Sequence, residues 1–133
     1  MGLLGRFLTG DVVDEAELDR ARTEGIVLHL RRLRASVAYD RYRAPGVRSH
    51  GRRLVSSGGV LVTSSRAVLW AAGVRQLDLS RETLPSPSLD VRADPGRLQV
   101  SFSAEDFHHD RSGQVRVRLR TTGAERVAEL LTR

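Results

Sequence analysis

Eight arginines, Arg31, Arg32, Arg34, Arg41, Arg43, Arg48, Arg52 and Arg53, fall within 23 residues that contain a single acid, Asp40. The chemistry this run offers is anion binding. A guanidinium stays charged at any working pH, and its planar fork grips a carboxylate or phosphate through two parallel hydrogen bonds. The segment sums to +7, whereas the other 110 residues hold 14 arginines and 15 acids and sum to −1. One internal acid cannot neutralise eight arginines, and the remaining acids are matched by arginines of their own. The eight therefore form the candidate binding set for an anionic membrane surface or an acidic protein partner. Each arginine near an anionic bilayer contributes about 1 kcal/mol, so docking would be weak, reversible and sensitive to salt. The bland alternative is that these arginines pair with acids elsewhere in the fold.

Other residue sets offer less. Glu105-Asp-Phe-His-His-Asp110 brings two histidines and three carboxylates together, the donor types a divalent ion takes. Adjacent histidines on an extended segment point opposite ways, so His108 and His109 do not converge, and His29 and His50 are distant in sequence. The segment reads as a solvated loop, able to face Arg116 and Arg118 across a hairpin, and no metal or other cofactor is expected. Tyr39 and Tyr42 lie among the arginines, where aromatic rings could stack the bases of a single strand. Two rings are a thin platform, and no nucleic-acid-binding motif accompanies them, so nucleic acid is disfavoured. There is no cysteine nucleophile, G-x-S-x-G elbow, P-loop or H-E-x-x-H, so the chain reads as a non-enzyme. Trp70 reads as core.

The bulk numbers frame these sites. A chain of 133 residues with 40% hydrophobic and 29% charged residues is one ordinary globular domain. All 22 basic residues are arginine, the composition of a GC-rich genome, and the absence of cysteine excludes disulfides and thiolate metal sites. No apolar run approaches the roughly 20 residues that span a bilayer. The N-terminus is short for a secretory signal and runs directly into acids. Gly2 invites a myristoylation reading, but Arg6 stands where that motif needs Ser or Thr. Leu3, Leu4, Phe7 and Leu8 have helical spacing and read as a turn packed on its own domain. The expectation is a cytoplasmic protein that contacts membranes only peripherally.

The elements that must position the arginines follow from periodicity. Asp11 to Arg22 predicts a short polar helix, with acids in its first turn and Gly25 to end it. Ile26 to Leu30 is apolar and fits either helix or buried strand. Val37 and Tyr39 make a strand that Pro45-Gly46 breaks. Gly58 to Thr63, Arg66 to Ala71 and Val74 to Leu79 read as three strands. Leu84 to Pro87 is a loop, and Leu89 and Val91 alternate with polar residues. The Asp94-Pro-Gly96 turn leads into Leu98, Val100 and Phe102. After a polar loop over 104–113, Val115, Val117 and Leu119 face one way while Arg116, Arg118 and Arg120 face the other. Thr122-Gly-Ala-Glu125 predicts a capping box that opens a helix to the chain end. The division is a helical extension over 1–25 and a β domain over 26–133. Self-assembly of the chain into a homo-oligomer is the alternative to anion docking.

The run Gly58-Gly-Val-Leu-Val-Thr63-Ser-Ser-Arg66-Ala-Val-Leu-Trp70 resembles the signature hairpin of bacterial PH-like and GRAM-type domains. The order that follows, two further hairpins, a last strand and a C-terminal amphipathic helix, is similar to that family over Leu33 to Arg133. Ser64-Ser65 departs from the Asn or Gly that a tight turn favours. The resemblance implies a PH-like bent β-barrel of about seven strands, closed at one end by the C-terminal helix. It also implies a binding module. Gly58 would permit a close backbone approach, Thr63 suits a strand end, and Arg66 can lay its stem over apolar surface while its head stays wet.

Overall fold

The strand β1 (Ile26–Ala44) is the spine of the molecule, and every other element is placed by reference to it. The computed structural model describes residues 13–49 and 51–132. A helix, α1 (Glu15–Glu24), precedes β1. The chain continues through β2 (Val47–Ser49), β3 (Arg52–Thr63), β4 (Arg66–Ala71) and β5 (Val74–Ser80), then β6 (Leu89–Asp94), β7 (Arg97–Ser103) and β8 (Ser112–Arg120). It closes with α2 (Ala124–Leu131). One antiparallel sheet in the order β5-β4-β3-β1-β8-β7-β6 curls into a half-barrel, and the three-residue β2 pairs only with the end of β1. Among the described residues the fold is mainly β, as the alternation predicts, with two α-helices. The segment 26–30, which periodicity left open, is strand.

β1 joins two meanders. It pairs with β3 from Ile26 to Tyr39 and with β8 from Ala35 to Arg43. Register shifts between Leu30 and Leu33 on the β3 side, and between Asp40 and Arg43 on the β8 side, mark two bulges. Arg32 and Arg41 sit at them with φ of 53° each. A bulge bends its strand and sharpens the local twist, which lets one strand of 19 residues serve both halves of a curled sheet.

The concave face is the main core. Ala35, Val37 and Tyr39 of β1 meet Val60 and Val62 of β3, Leu98, Val100 and Phe102 of β7, and Val115, Val117 and Leu119 of β8. α2 covers this face beside β6 and β7 with Ala124, Val127, Leu130 and Leu131. The capping box does not form. Gly123 is the N-cap and makes no side-chain cap bond; its N–H donates instead to Thr121 Oγ1 at 3.0 Å. The helix begins one residue too late for Thr122 to cap it, and burial of its apolar stripe holds it in place.

α1 lies on the opposite face of the sheet. Asp14 is its N-cap, accepting from Glu17 N at 2.8 Å, and Gly25 ends it with φ 93°. The predicted start at Asp11 and the apolar set Leu3, Leu4, Phe7 and Leu8 lie outside the described residues. Ala21 packs with Leu61, Val68 and Trp70, a small second core on the convex side of β3 and β4. The close approach there belongs to Gly59 as well as to Gly58. A Cβ on Gly59 would fall 2.3 Å from the Trp70 ring and 2.4 Å from Leu30 O. One on Gly58 would fall 2.5 Å from Trp70 O.

Candidate anion-docking face

The convex face of the sheet is divided. At the β3–β4 side α1 covers Leu61, Val68 and Trp70. Across β3, β1, β8 and β7 no helix among the described residues covers it, and strand alternation turns a mostly polar set outward. Those residues are Arg53 and Val55 on β3, Arg34, Ser36 and Ala38 on β1, Arg116, Arg118 and Arg120 on β8, and Arg97, Gln99 and Ser101 on β7. Cross-strand register sets them side by side. Ser36 lies opposite both Val55 and Arg118, Ala38 opposite both Arg53 and Arg116, Gln99 opposite Arg118, and Arg97 opposite Arg120.

A groove of ≈ 300 Å³ runs through this face, walled by five arginines: Arg34, Arg53, Arg97, Arg118 and Arg120. Ala35, Ser36, Val55 and Leu119 also line it, and no acid lines it among the described residues. A neighbouring depression of ≈ 340 Å³ shares Arg53 and adds Arg116, Ser101, Gln114 and Asp40. Arg97 reaches Asp94 at 3.6 Å, with both side chains more than half exposed, so the pair is weak. Among the described residues, Arg34, Arg53, Arg116, Arg118 and Arg120 have no carboxylate within ion-pairing distance. Arg118 Nε donates to Gln99 Oε1 at 2.9 Å, which ties the guanidinium to β7, and Arg118 lines the groove. Burial, then the like charges of Arg116, Arg97 and Arg53, lower the pKa of Arg118 from its ordinary value. Burial is the larger cause, and the like charges of the neighbouring arginines add to it.

The eight sequence candidates do not form this face as a block. Arg34 and Arg53 join it. Arg31 and Arg32 are exposed at the first bulge, where β1 leaves strict alternation. Arg41 is exposed at the second bulge, and Arg43 lies at the end of β1 opposite Ser112. Arg48 and Arg52 are placed by backbone alone, opposite Arg43 and Tyr39; their side chains, like His50, lie outside the described residues. Arg97, Arg118 and Arg120, the other members of the groove, come from the C-terminal half of the chain. The signal that could have found Arg118 and Arg120 was the run Arg116, Arg118, Arg120 on the polar side of a predicted strand.

The remaining sequence candidates serve the fold. Tyr39 and Tyr42 are both 6% exposed, with ring centroids 4.4 Å apart, and offer no outer platform for bases. Gln76 Nε2 donates to Tyr39 Oη at 3.0 Å, and burial raises both tyrosine pKa values. In the segment 105–110, a His108 ring nitrogen lies 2.6 Å from Gln76 O, and Glu105 Oε1 accepts from Gly113 N at 3.1 Å. The ladder to Arg116 and Arg118 does not form, because register sets Ser101 and Gln99 opposite them. No three His, Asp or Glu side chains gather as a metal site among the described residues.

The Thr63–Arg66 hairpin is a docking point for α1. Thr63 Oγ1 accepts from Ser65 N at 3.2 Å and Arg66 N at 3.1 Å, and itself donates to Glu24 Oε1 at 2.8 Å. Ser65 Oγ donates to the same carboxylate at 2.8 Å, and Ser64 Oγ donates to Glu24 O. The two serines thus replace backbone-determined turn chemistry with side-chain bonds to a helix end. The Arg66 head stays only partly wet: it pairs with Glu17 at 2.8 Å, and Arg75 pairs with the other oxygen of Glu17 at 2.5 Å.

Among the described residues, no helix is long and apolar enough to cross a membrane. Comparison with protein-family models, with curated proteins and with solved structures returned no match.

Proposed function

We propose that this protein is a non-catalytic binding module that docks through its convex arginine face onto a membrane surface rich in anionic lipid. The observation that carries the reading is the groove of five arginines, with no acid in its lining among the described residues. Intramolecular pairing, the bland alternative for basic residues, does not account for it. Strands hold the backbone that carries these side chains, so docking orders the side chains alone. Val55, 63% exposed on the same face, adds an apolar contact of the kind an interfacial layer accepts. The meander of β1 and β3–β5, the second meander β6–β8 and the C-terminal helix support the resemblance to PH-like and GRAM-type domains. Domains of that kind are mostly binding modules.

Co-sedimentation with vesicles at low salt tests the reading. The protein is expected to pellet with vesicles containing phosphatidylserine and to stay in solution with purely zwitterionic ones. Equal, negligible pelleting in both would sink it. One observation favours a second reading, self-assembly: β5 and β6 end the sheet, so each has an outer edge without a strand partner among the described residues. Light scattering at high protein concentration decides it; a strict monomer eliminates that reading.

A further inference from the structure

The convex side of the sheet carries a second surface, the one beneath α1. We infer that α1 is a displaceable cover, and that the surface under it is a docking site for an acidic amphipathic helix of a partner protein, a ligand for which α1 stands in. This surface shares no residue with the arginine groove.

Polar groups hold the cover more than packing does. Of the ten residues of α1, Glu17, Leu18 and Ala21 are buried, and Ala21 is what the helix sets against Leu61, Val68 and Trp70. An alanine methyl contributes little apolar area to such a floor. The rest of the attachment is ionic or hydrogen-bonded: Glu17 to Arg66 and Arg75, and Glu24 to Thr63 and Ser65. Both arginines are partly solvated, so their bonds to Glu17 exchange for those of another carboxylate at small cost. The pairing is also incomplete. Glu17 gives one oxygen to each arginine, so neither fork receives from it the two parallel bonds that a guanidinium can make. Arg66 Nε is buried with no hydrogen-bond partner among the described residues. A buried donor left unmade is costly, and a ligand that reaches it recovers that cost. One turn on from Glu17, α1 carries Arg20, a like charge to Arg66, where a second acid would serve. The surface therefore fits a helix with acids at the positions of Glu17, Arg20 and Glu24 and a small apolar residue at that of Ala21. Such a helix would bring one carboxylate to each arginine and a third to the Thr63 and Ser65 hydroxyls, over the same apolar floor.

Fluorescence anisotropy of a labelled synthetic peptide of residues 13–25, titrated with the full chain, tests the inference. The tethered α1 competes at high effective concentration, so the wild-type chain should take the peptide weakly. A chain carrying Glu17→Gln and Glu24→Ala holds its own cover less well, and should bind the peptide roughly tenfold or more tightly than wild type. Trp70 is the only tryptophan and lies outside the peptide, so it reports on the floor. Its emission should shift to the red in this variant and return when peptide is added. The peptide carrying Arg20→Glu should bind more tightly than the native one, and a scrambled peptide of the same composition should not bind. Adding Arg66→Glu and Arg75→Glu to the variant chain should abolish binding of the native peptide, and a peptide carrying Glu17→Arg should restore it. That rescue needs a folded surface, so it separates loss of docking from loss of fold. Equal binding of the scrambled peptide, or equally weak binding by wild type and variant with unmoved emission, would overturn the inference. A wild-type dimer that Glu17→Gln dissociates would assign the surface to α1 of a second copy and overturn it as well.

Discussion

Among the described residues Glu17 is the one buried charged side chain, at 7% exposure, and it sits between Arg66 and Arg75. Burial pushes its carboxyl up, but the hydrogen bonds and charges of Arg75 and Arg66 outweigh that, and the net pKa is lowered. A lowered carboxyl contributes stability that is fully present above its unfolded value, about 4.5, and is lost as pH falls through the folded value. Glu17→Gln should therefore cost about 2 kcal/mol at neutral pH. That is less than the about 3–5 kcal/mol of a fully buried broken pair, because both arginines are partly solvated. In urea denaturation across pH, the gap between wild type and variant should narrow steadily below pH 4.5. A gap that stays constant with pH would show that the carboxylate charge is not what the arginines hold. Sequence alone did not single out Glu17: it is one of several acids in the first turn of a polar helix. Its partners lie 49 and 58 positions away, a separation no local pattern reports.

At the scale of elements, alternation made the strands from 58 to 120 legible, since period-two burial is written in residue order. Val115, Val117 and Leu119 point inward and Arg116, Arg118 and Arg120 outward or partly so, as their types require. Legibility failed where pairing rather than periodicity decides. The segment 26–30 is strand because β3 is there to bond it. Arg31 and Arg32 leave the row because a bulge intervenes. The signature hairpin was legible as a hairpin, but its role in fastening α1 was not, since Glu24 reaches it from about forty positions away. Gly59 tests the fit of α1, β1 and β4 together. Gly59→Ala sets a Cβ against the Trp70 ring and the Leu30 carbonyl, and should destabilise by about 2–3 kcal/mol. Trp70 is the only tryptophan, so its emission should shift to the red as the small convex core opens. Gly123→Ala, which meets nothing closer than 3.5 Å, should cost under about 1 kcal/mol with unchanged emission. Similar losses at the two positions would contradict the close-packing argument.

Over the whole molecule, the net charge of +6 says less than its distribution. The sequence concentrates charge in 31–53, yet the face is assembled by topology: β1 contributes Arg34, β3 contributes Arg53, and β7 and β8 contribute the rest. Two of the five were readable, because Arg34 and Arg53 lie in the basic run. The other three were not, because the adjacency of β1 to β8 joins residues about eighty positions apart. With about 1 kcal/mol for each engaged arginine, each single Arg→Gln change on the face should weaken vesicle binding about fivefold. The effect should fade as added salt shortens the screening length. The most direct measurement compares two charge-matched triple variants for co-sedimentation with phosphatidylserine vesicles at low salt. One is Arg34→Gln, Arg53→Gln and Arg118→Gln on the face; the other is Arg20→Gln, Arg22→Gln and Arg126→Gln on the helices. Docking through the arginine face predicts that the first loses binding while the second keeps nearly all of it, and equal losses in the two would contradict it.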